Sequence, residues 1–343
     1  METKKTTQTK EQNMLDRKEI SKKEIMTLAQ VNQVRENIQV FRTMLDSYFI
    51  DRQEVIDMMM LCTIMREPLL LVGEPGTGKS DLIVKFCEAL HVEKKDYFEY
   101  MLTQFTEPGE LFGPVDIQQL KKGNYTRRTE GMLPEARVAF LDEIFTSNSA
   151  ILNSLLSIIN ERKFYQEGRA TPVQIDVLFA ATNDIPTNRS LRALRDRFVI
   201  KMETHPVYEK HFEELLTKGL ENKHYKSNHQ KPWSRSLISL DDLISLGDFI
   251  ENRTHQAIEK DRFGKIFPDE LRELFFHLIL SLEKDLHVHV SDRKIVKITN
   301  LIIAHAFVFR GGTVQRDDLS ILKYIANTKD EIQPIYDFIQ QRL

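Results

Sequence analysis

Eight residues constrain this chain more than any others: Gly73-Glu74-Pro75-Gly76-Thr77-Gly78-Lys79-Ser80, which spell G-x-x-x-x-G-K-S. What flanks them makes the pattern specific. Pro68 and the apolar run Leu69-Leu70-Leu71-Val72 come before, as in a buried parallel strand, and Asp81-Leu82-Ile83-Val84-Lys85-Phe86 opens a helix after it. In a strand–loop–helix of this kind the glycines let successive backbone N–H groups turn toward one anion, and the helix N-terminus adds partial positive charge. The loop is therefore read as a phosphate cradle. Lys79 is expected at the β- and γ-phosphates of a nucleotide, and Ser80 on Mg²⁺.

Two further apolar runs have the same character. Val138-Ala139-Phe140-Leu141 ends in Asp142-Glu143, and Val177-Leu178-Phe179-Ala180-Ala181-Thr182 ends in Asn183. A parallel sheet presents the carboxyl ends of its strands to ligands, so these polar ends belong beside the phosphate loop. The acidic pair has the Walker B pattern: Asp142 to hold the Mg²⁺ shell, Glu143 to orient or deprotonate the attacking water. Asn183 either hydrogen-bonds the γ-phosphate or lytic water, or caps the turn that follows. Next comes Leu191 to Phe198, a short helix with three arginines, the residue type suited to planar phosphate contacts across an interface.

At 343 residues the chain exceeds one average domain. Its net charge of −3, from 48 basic and 51 acidic residues, gives no global basic field of the kind a nucleic-acid binder carries. The two cysteines, Cys62 and Cys87, lie in apolar periodic segments, which argues against a disulfide framework or a zinc site and fits a reduced, cytoplasmic compartment. No apolar run is long enough to span a bilayer; Leu301 to Phe309 reads as a buried helix.

Helical spacing predicts an amphipathic helix over Ile25 to Tyr48 and a second, through Ile64, stopped by Pro68. Tyr97 to Leu102 reads as a strand. An irregular insert follows, in which Tyr125 to Thr129 alternates like a hairpin strand. Ser149 to Arg162 is helical, and Lys163-Phe164-Tyr165-Gln166 and Thr171 to Ile175 form a second hairpin around Glu167-Gly168. The stretch from His205 to Arg235 reads as a polar linker containing a helix from His211 to Lys218. Beyond it Leu240 to His255, Asp269 to Leu282, Asp292 to Phe309 and Arg316 to Ala326 are helical by period, with a last short helix from Asp330 to Gln341.

Taken together, Gly73 to Ser80, Phe98-Glu99-Tyr100, Phe112-Gly113-Pro114, Gly131 to Ala136, Phe140 to Ile144, Ala150 to Leu156, Ile159 to Arg162, Ala181-Thr182-Asn183, Asp196-Arg197-Phe198 and Val290 to Arg293 resemble the MoxR-type AAA+ ATPases, and among them the RavA branch. The resemblance covers roughly Ile50 to Ile325. It implies an α/β P-loop AAA+ core, a parallel sheet flanked by helices with inserted β-hairpins, followed by an all-α lid domain. It also implies a homo-oligomeric ring, usually a hexamer, that hydrolyses ATP with Mg²⁺ and remodels a protein client in the manner of a chaperone, often with a partner bearing a von Willebrand A domain.

By that likeness Arg197 is the finger acting on a neighbour's ATP, with Arg195 its rival, and Arg293 is the lid's sensor acting in cis. The adenine is expected near Ile50 and Asp51. Phe112 or Tyr165, in the two inserts, is expected to touch substrate. The expected division is a disordered polar tail at 1–24, the nucleotide-binding domain with its N-terminal helix at 25–206, a linker at 207–236, and the lid with its C-terminal helix at 237–343. RavA-like chains continue past the lid into further domains, whereas this sequence stops at Leu343; a partner recruited through such a domain, a lysine decarboxylase included, is not part of the expectation.

Two other functions compete. An AAA+ nucleic-acid motor shares the same parts, but Lys121-Lys122 and Arg127-Arg128 are the only close basic pairs in the inserts. A nucleotide-gated scaffold needs neither Glu143 nor Asn183. GTP is disfavoured against ATP because no Asn-Lys-x-Asp tetrapeptide occurs.

Overall fold

The computed structural model describes residues 26–343 apart from Glu167, Gly168 and His229. The tail expected at 1–24 and the turn expected at Glu167-Gly168 lie outside the described residues. The first helix, α1 (Leu28–Tyr48), starts where its cap is. Thr27 Oγ1 accepts from the Gln30 N–H while the Gln30 side chain accepts from the Thr27 N–H, a reciprocal box that sets the start at Leu28; Ile25, the expected start, lies outside the described residues. Val31, Val34, Ile38, Phe41, Leu45 and Tyr48 form its buried stripe, and burying each such side chain contributes roughly 1.5–3 kcal/mol. α2 (Gln53–Ile64) is apolar on nearly all sides and lies inside the molecule.

Strand β1 (Leu69–Val72) runs into the glycine-rich loop and α3 (Lys79–Ala89). β2 (Tyr97–Met101), β3 (Val138–Asp142), β6 (Val177–Thr182) and β7 (Ile200–Glu203) complete a parallel five-stranded sheet in the order β2-β3-β6-β1-β7. Its register pairs Leu69 with Phe179 on one side and with Ile200 on the other, and Val138 with Val177. β1 and β6 are buried along their whole length, as a strand covered on both faces must be.

The first insert carries two short helices, α4 (Pro108–Phe112) and α5 (Ile117–Leu120), and no hairpin. The strand expected over Tyr125 to Thr129 is a single bridge, Val115 to Arg127. Pro114 has no N–H to extend a ladder, and Asp116 already caps α5. The second insert does pair: after α6 (Ser149–Glu161), capped by the Asn148 side chain, β4 (Lys163–Gln166) lies antiparallel to β5 (Arg169–Pro172). Phe112, expected at the substrate, is instead buried and stacked on Phe164 with ring centroids 4.9 Å apart. Tyr165 is exposed, as are Phe105, Ile117, Leu120 and Tyr125.

A short helix, α7 (Arg192–Arg197), precedes β7. After the sheet the helix expected over His211 to Lys218 is longer, α8 (Tyr208–Ser227), with a kink at His211. Behind it α9 (Leu240–Glu259), α10 (Asp269–Asp285) and α11 (Asp292–Arg310) form the helical unit, followed by a 3₁₀ run at Arg316–Tyr324 and α12 (Ile332–Gln340). α9 and α11 pack on α2. Ion pairs at the same seam, Arg66 to Asp248 and Lys297 to Glu67, both 2.5 Å, and Lys323 to Glu54, tie the helical unit to the α/β core.

Candidate nucleotide site

The sheet brings the polar strand ends together. β1 delivers the loop, β3 delivers Asp142 and Glu143, and β6, between them, delivers Asn183. Gly76 and Gly78 have φ of 86° and 80°, a conformation that side-chain-bearing residues rarely adopt, and this lets the loop wrap before α3 begins at Lys79. The Lys79 ammonium donates to the Gly73 carbonyl at 2.5 Å, the Glu74 carbonyl at 3.0 Å and Asn183 Oδ1 at 3.3 Å. Ser80 Oγ donates to Asp142 Oδ2 at 3.2 Å.

Glu143 adopts left-handed backbone geometry at φ 52°, and its N–H donates to Asp142 Oδ1 at 2.9 Å. Asn183 Nδ2 donates to Glu143 Oε1 at 2.5 Å. One amide thus bridges the lysine and the glutamate. Burial pushes the Lys79 ammonium below its ordinary value against the pull of Asp142 and Glu143, and Lys329 of the helical unit adds to the downward push. Burial pushes the Glu143 carboxyl above the usual carboxylate range, Asp142 adding to it and Lys79 opposing. A carboxylate lifted in this way is better matched to taking a proton near neutral pH.

Other expected residues lie around this centre. Arg195 is buried and donates to the carbonyls of Pro186 and Asn188 at its own helix entrance. Arg197 has only a long contact of 3.9 Å to Asp196, and its Nε is buried without a hydrogen-bond partner among the described residues. Asp196 accepts from Ser291 at 3.5 Å, so the end of α7 meets the N-cap of α11. Arg293, in the first turn of α11, is exposed, and its side chain makes no hydrogen bond or ion pair among the described residues.

Beside the loop opens a cleft of about 260 Å³. Tyr48, Phe49, Ile50, Pro206, Val207 and Leu215 give it apolar walls, and Gly76 to Gly78 form its floor toward the phosphate cradle. Ile50 lines it, whereas Asp51 is exposed, in left-handed geometry, and does not. Two features of this cleft were not legible. Arg52 is buried and donates to the carbonyls of Thr77 (3.3 Å) and His205 (2.8 Å), joining the loop to the turn after β7. α8, whose sequence reads as a polar stretch, forms one wall; the Leu215, Lys218, Gly219, Asn222 spacing on one helix face was the available signal. Lys329, close enough to act on Lys79, gave no signal.

A parallel sheet with a P-loop after β1, an amide at the end of the adjacent central strand β6, an acidic pair at the end of β3 beyond it, and a helical unit against the sheet define a P-loop fold of the AAA+ class. Residues 32–247 match the family described as the MoxR domain in MoxR–vWA–β-propeller ternary systems, and residues 270–339 match an AAA lid domain. The chain belongs to the MoxR family of AAA+ ATPases.

Two uncharacterised proteins of Methanocaldococcus jannaschii, MJ0079 and MJ0812, are each 32% identical to it. The matches cover 86% and 87% of this chain and 71% and 74% of those proteins. Structural protein ORF618 of Acidianus two-tailed virus is 36% identical over 162 residues, 46% of this chain and 26% of that protein. The solved structure of a candidate ATPase from Cytophaga hutchinsonii shares the fold, with a TM-score of 0.68 at 15% identity over 92% of this chain and 96% of its own. Among the described residues no helix is long and apolar enough to cross a membrane.

Proposed function

We propose that this protein hydrolyses ATP and, as a ring of identical subunits, most simply six, uses the cycle to remodel or activate a protein partner in the cytoplasm. The observation that carries the proposal is the Lys79–Asn183–Glu143 bridge standing beside the Ser80–Asp142 pair in one crevice. Lys79, released from the Gly73 and Glu74 carbonyls, would hold phosphate oxygens. Ser80 and Asp142 offer the hard oxygen donors that suit Mg²⁺, which when bound supplies charge neutralisation at the phosphates. Glu143 would take a proton from the attacking water, and Asn183 would position Glu143. Base and ribose would fill the cleft between Ile50 and α8.

Arg197 is the better finger. Arg195 is committed to its own backbone, while the Arg197 guanidinium is held only by a 3.9 Å contact to Asp196 and would turn outward to a neighbour's phosphate. Arg293, exposed at the start of α11, is the proposed cis sensor. The exposed apolar side chains of the inserts, with Phe105 at 80% exposure, favour a protein client over nucleic acid, since no basic stripe accompanies them. The matched family is described from systems with a vWA protein, so a vWA-domain partner is proposed here too. The RavA branch remains the proposed affiliation within the family.

Mixing tests the shared site. Glu143→Gln and Arg197→Ala proteins should each be inactive, and together they should regain ATP turnover, because some interfaces then pair an intact Glu143 with an intact Arg197. Absence of any regain under conditions where the mixture assembles would sink the trans-acting arginine. Wild-type turnover by Glu143→Gln would remove the assignment of the base.

A further inference from the structure

The cleft wall contributed by α8 carries a carboxamide with nothing to do. Of the polar side chains lining the cleft, Arg52 is held by carbonyls, Thr77 Oγ1 by the Glu74 carbonyl at 2.9 Å and by Thr204, and Asp81 by Lys85. Lys218 is held by the Phe49 carbonyl at 3.1 Å and by Glu214 at 3.0 Å, and Tyr208 is more than half exposed. Asn222 is half-buried on the same lining, and its carboxamide makes no hydrogen bond among the described residues. Gly219, three residues earlier on the same helix face, leaves open space where a side chain would stand.

We infer that Asn222 reads the base of the nucleotide, accepting from the exocyclic N6–H of adenine with Oδ1 and donating to N7 with Nδ2. The inference rests on the proposed placing of the base in this cleft. Apolar walls hold any base by contact, so identity has to come from a polar group in the lining. A carboxamide offers one acceptor beside one donor, the complement of the adenine edge. Guanine and hypoxanthine present two acceptors on that edge, O6 and N7. In either orientation of the amide one bond is lost and Oδ1 faces an acceptor oxygen or nitrogen. Asn222 therefore selects ATP against GTP in a chain that carries no guanine-recognition tetrapeptide.

The test is equilibrium binding of ATP, ITP and 7-deaza-ATP to the full chain and to Asn222→Ala and Gly219→Phe. Wild type should hold ATP roughly ten-fold or more tightly than either analogue. Asn222→Ala should weaken ATP most, because it loses two bonds where each analogue has at most one to lose, and so should narrow the preference for ATP. A merely structural role would instead weaken all three alike, and that result, or an undiminished preference for ATP, overturns the inference. Gly219→Phe, which fills the cleft at a helix position with open space, separates the two layers. Loss of all three nucleotides supports the cleft as the base site, so a failure of Asn222→Ala then counts against Asn222 alone. Unchanged binding overturns the placing of the base and the inference with it.

Discussion

Replacing Asn183 by aspartate exchanges a donor for an anion at one of the closest polar contacts in the site. The change is nearly isosteric, so packing is kept. At present Nδ2 donates to Glu143 Oε1 at 2.5 Å, and Oδ1 accepts from Lys79 at 3.3 Å. Two unit charges about 3 Å apart repel by roughly 5 kcal/mol at an effective dielectric of 20. Borne in full that is about four pKa units. Glu143 is only partly buried, and the Lys79 charge offsets some of the repulsion. A rise of at least about one unit is the expected remainder.

The direction follows from the charges. Glu143 already lies above the usual carboxylate range, and a second anion disfavours its ionised form further, so a larger share of the enzyme is protonated at a given acidic or neutral pH. The acid limb of ATP turnover should therefore move to higher pH. Asn183→Ala, which removes the donor that stabilises the carboxylate and the acceptor for Lys79 but adds no charge, should shift the limb the same way by less. Single-turnover hydrolysis across the acid and neutral range, at saturating ATP and Mg²⁺, reads both. An Asn183→Asp enzyme with the wild-type acid limb would refute the bridge as the device that sets the state of Glu143.

Three further outcomes are expected. A Cβ at Gly247 of α9 would stand 2.0 Å from the Ile64 carbonyl oxygen; overpacking of about 1–3 kcal/mol outweighs a helix-propensity gain of about 1 kcal/mol, so Gly247→Ala should lower the denaturation midpoint, and an unchanged midpoint would contradict the tight seam. Arg195→Ala should cost roughly 1–3 kcal/mol by leaving the Pro186 and Asn188 carbonyls unpaired. Arg197→Ala should instead leave thermal stability near wild type while abolishing turnover, and the reverse pattern would exchange their roles. Lys201 is fully buried with its ammonium on the Phe198 carbonyl at 2.5 Å, and burial, with Lys294 beside it, pushes it well below the ordinary lysine value. Between those two values the unfolded chain binds the extra proton, so stability rises with pH there. Lys201→Met should remove that slope and stabilise the protein at neutral pH by about 1–3 kcal/mol, measured by urea unfolding; a loss of stability would show the charge to be needed.

The parts of the site that could be read in advance share one property: each is local in sequence. β1, β3 and β6 are continuous apolar runs because both faces of the sheet are covered, and the polar residues at their ends stand out against that background. β7 escaped notice because it is four residues long and carries a lysine. Tyr125 to Thr129 alternates as a strand does, but pairing needs a second edge, and Pro114 closes that edge. Phe112 is of a contact residue's type; the approach of Phe164, 52 positions further along the chain in the second insert, helps to bury it.

Local pattern by itself determined the strand–loop–helix, the acidic pair and the amide, because hydrophobic periodicity and glycine spacing are written in consecutive residues. The tertiary structure decided which of these touch. It set Asn183 between Lys79 and Glu143, turned Arg195 onto its own backbone while leaving an N–H of Arg197 unpaired, buried Arg52 under the loop, and laid α8 along the cleft with Asn222 on its wall. Those outcomes depend on distances between segments far apart in the chain, which are set by how the buried faces pack, and no single segment contains that information.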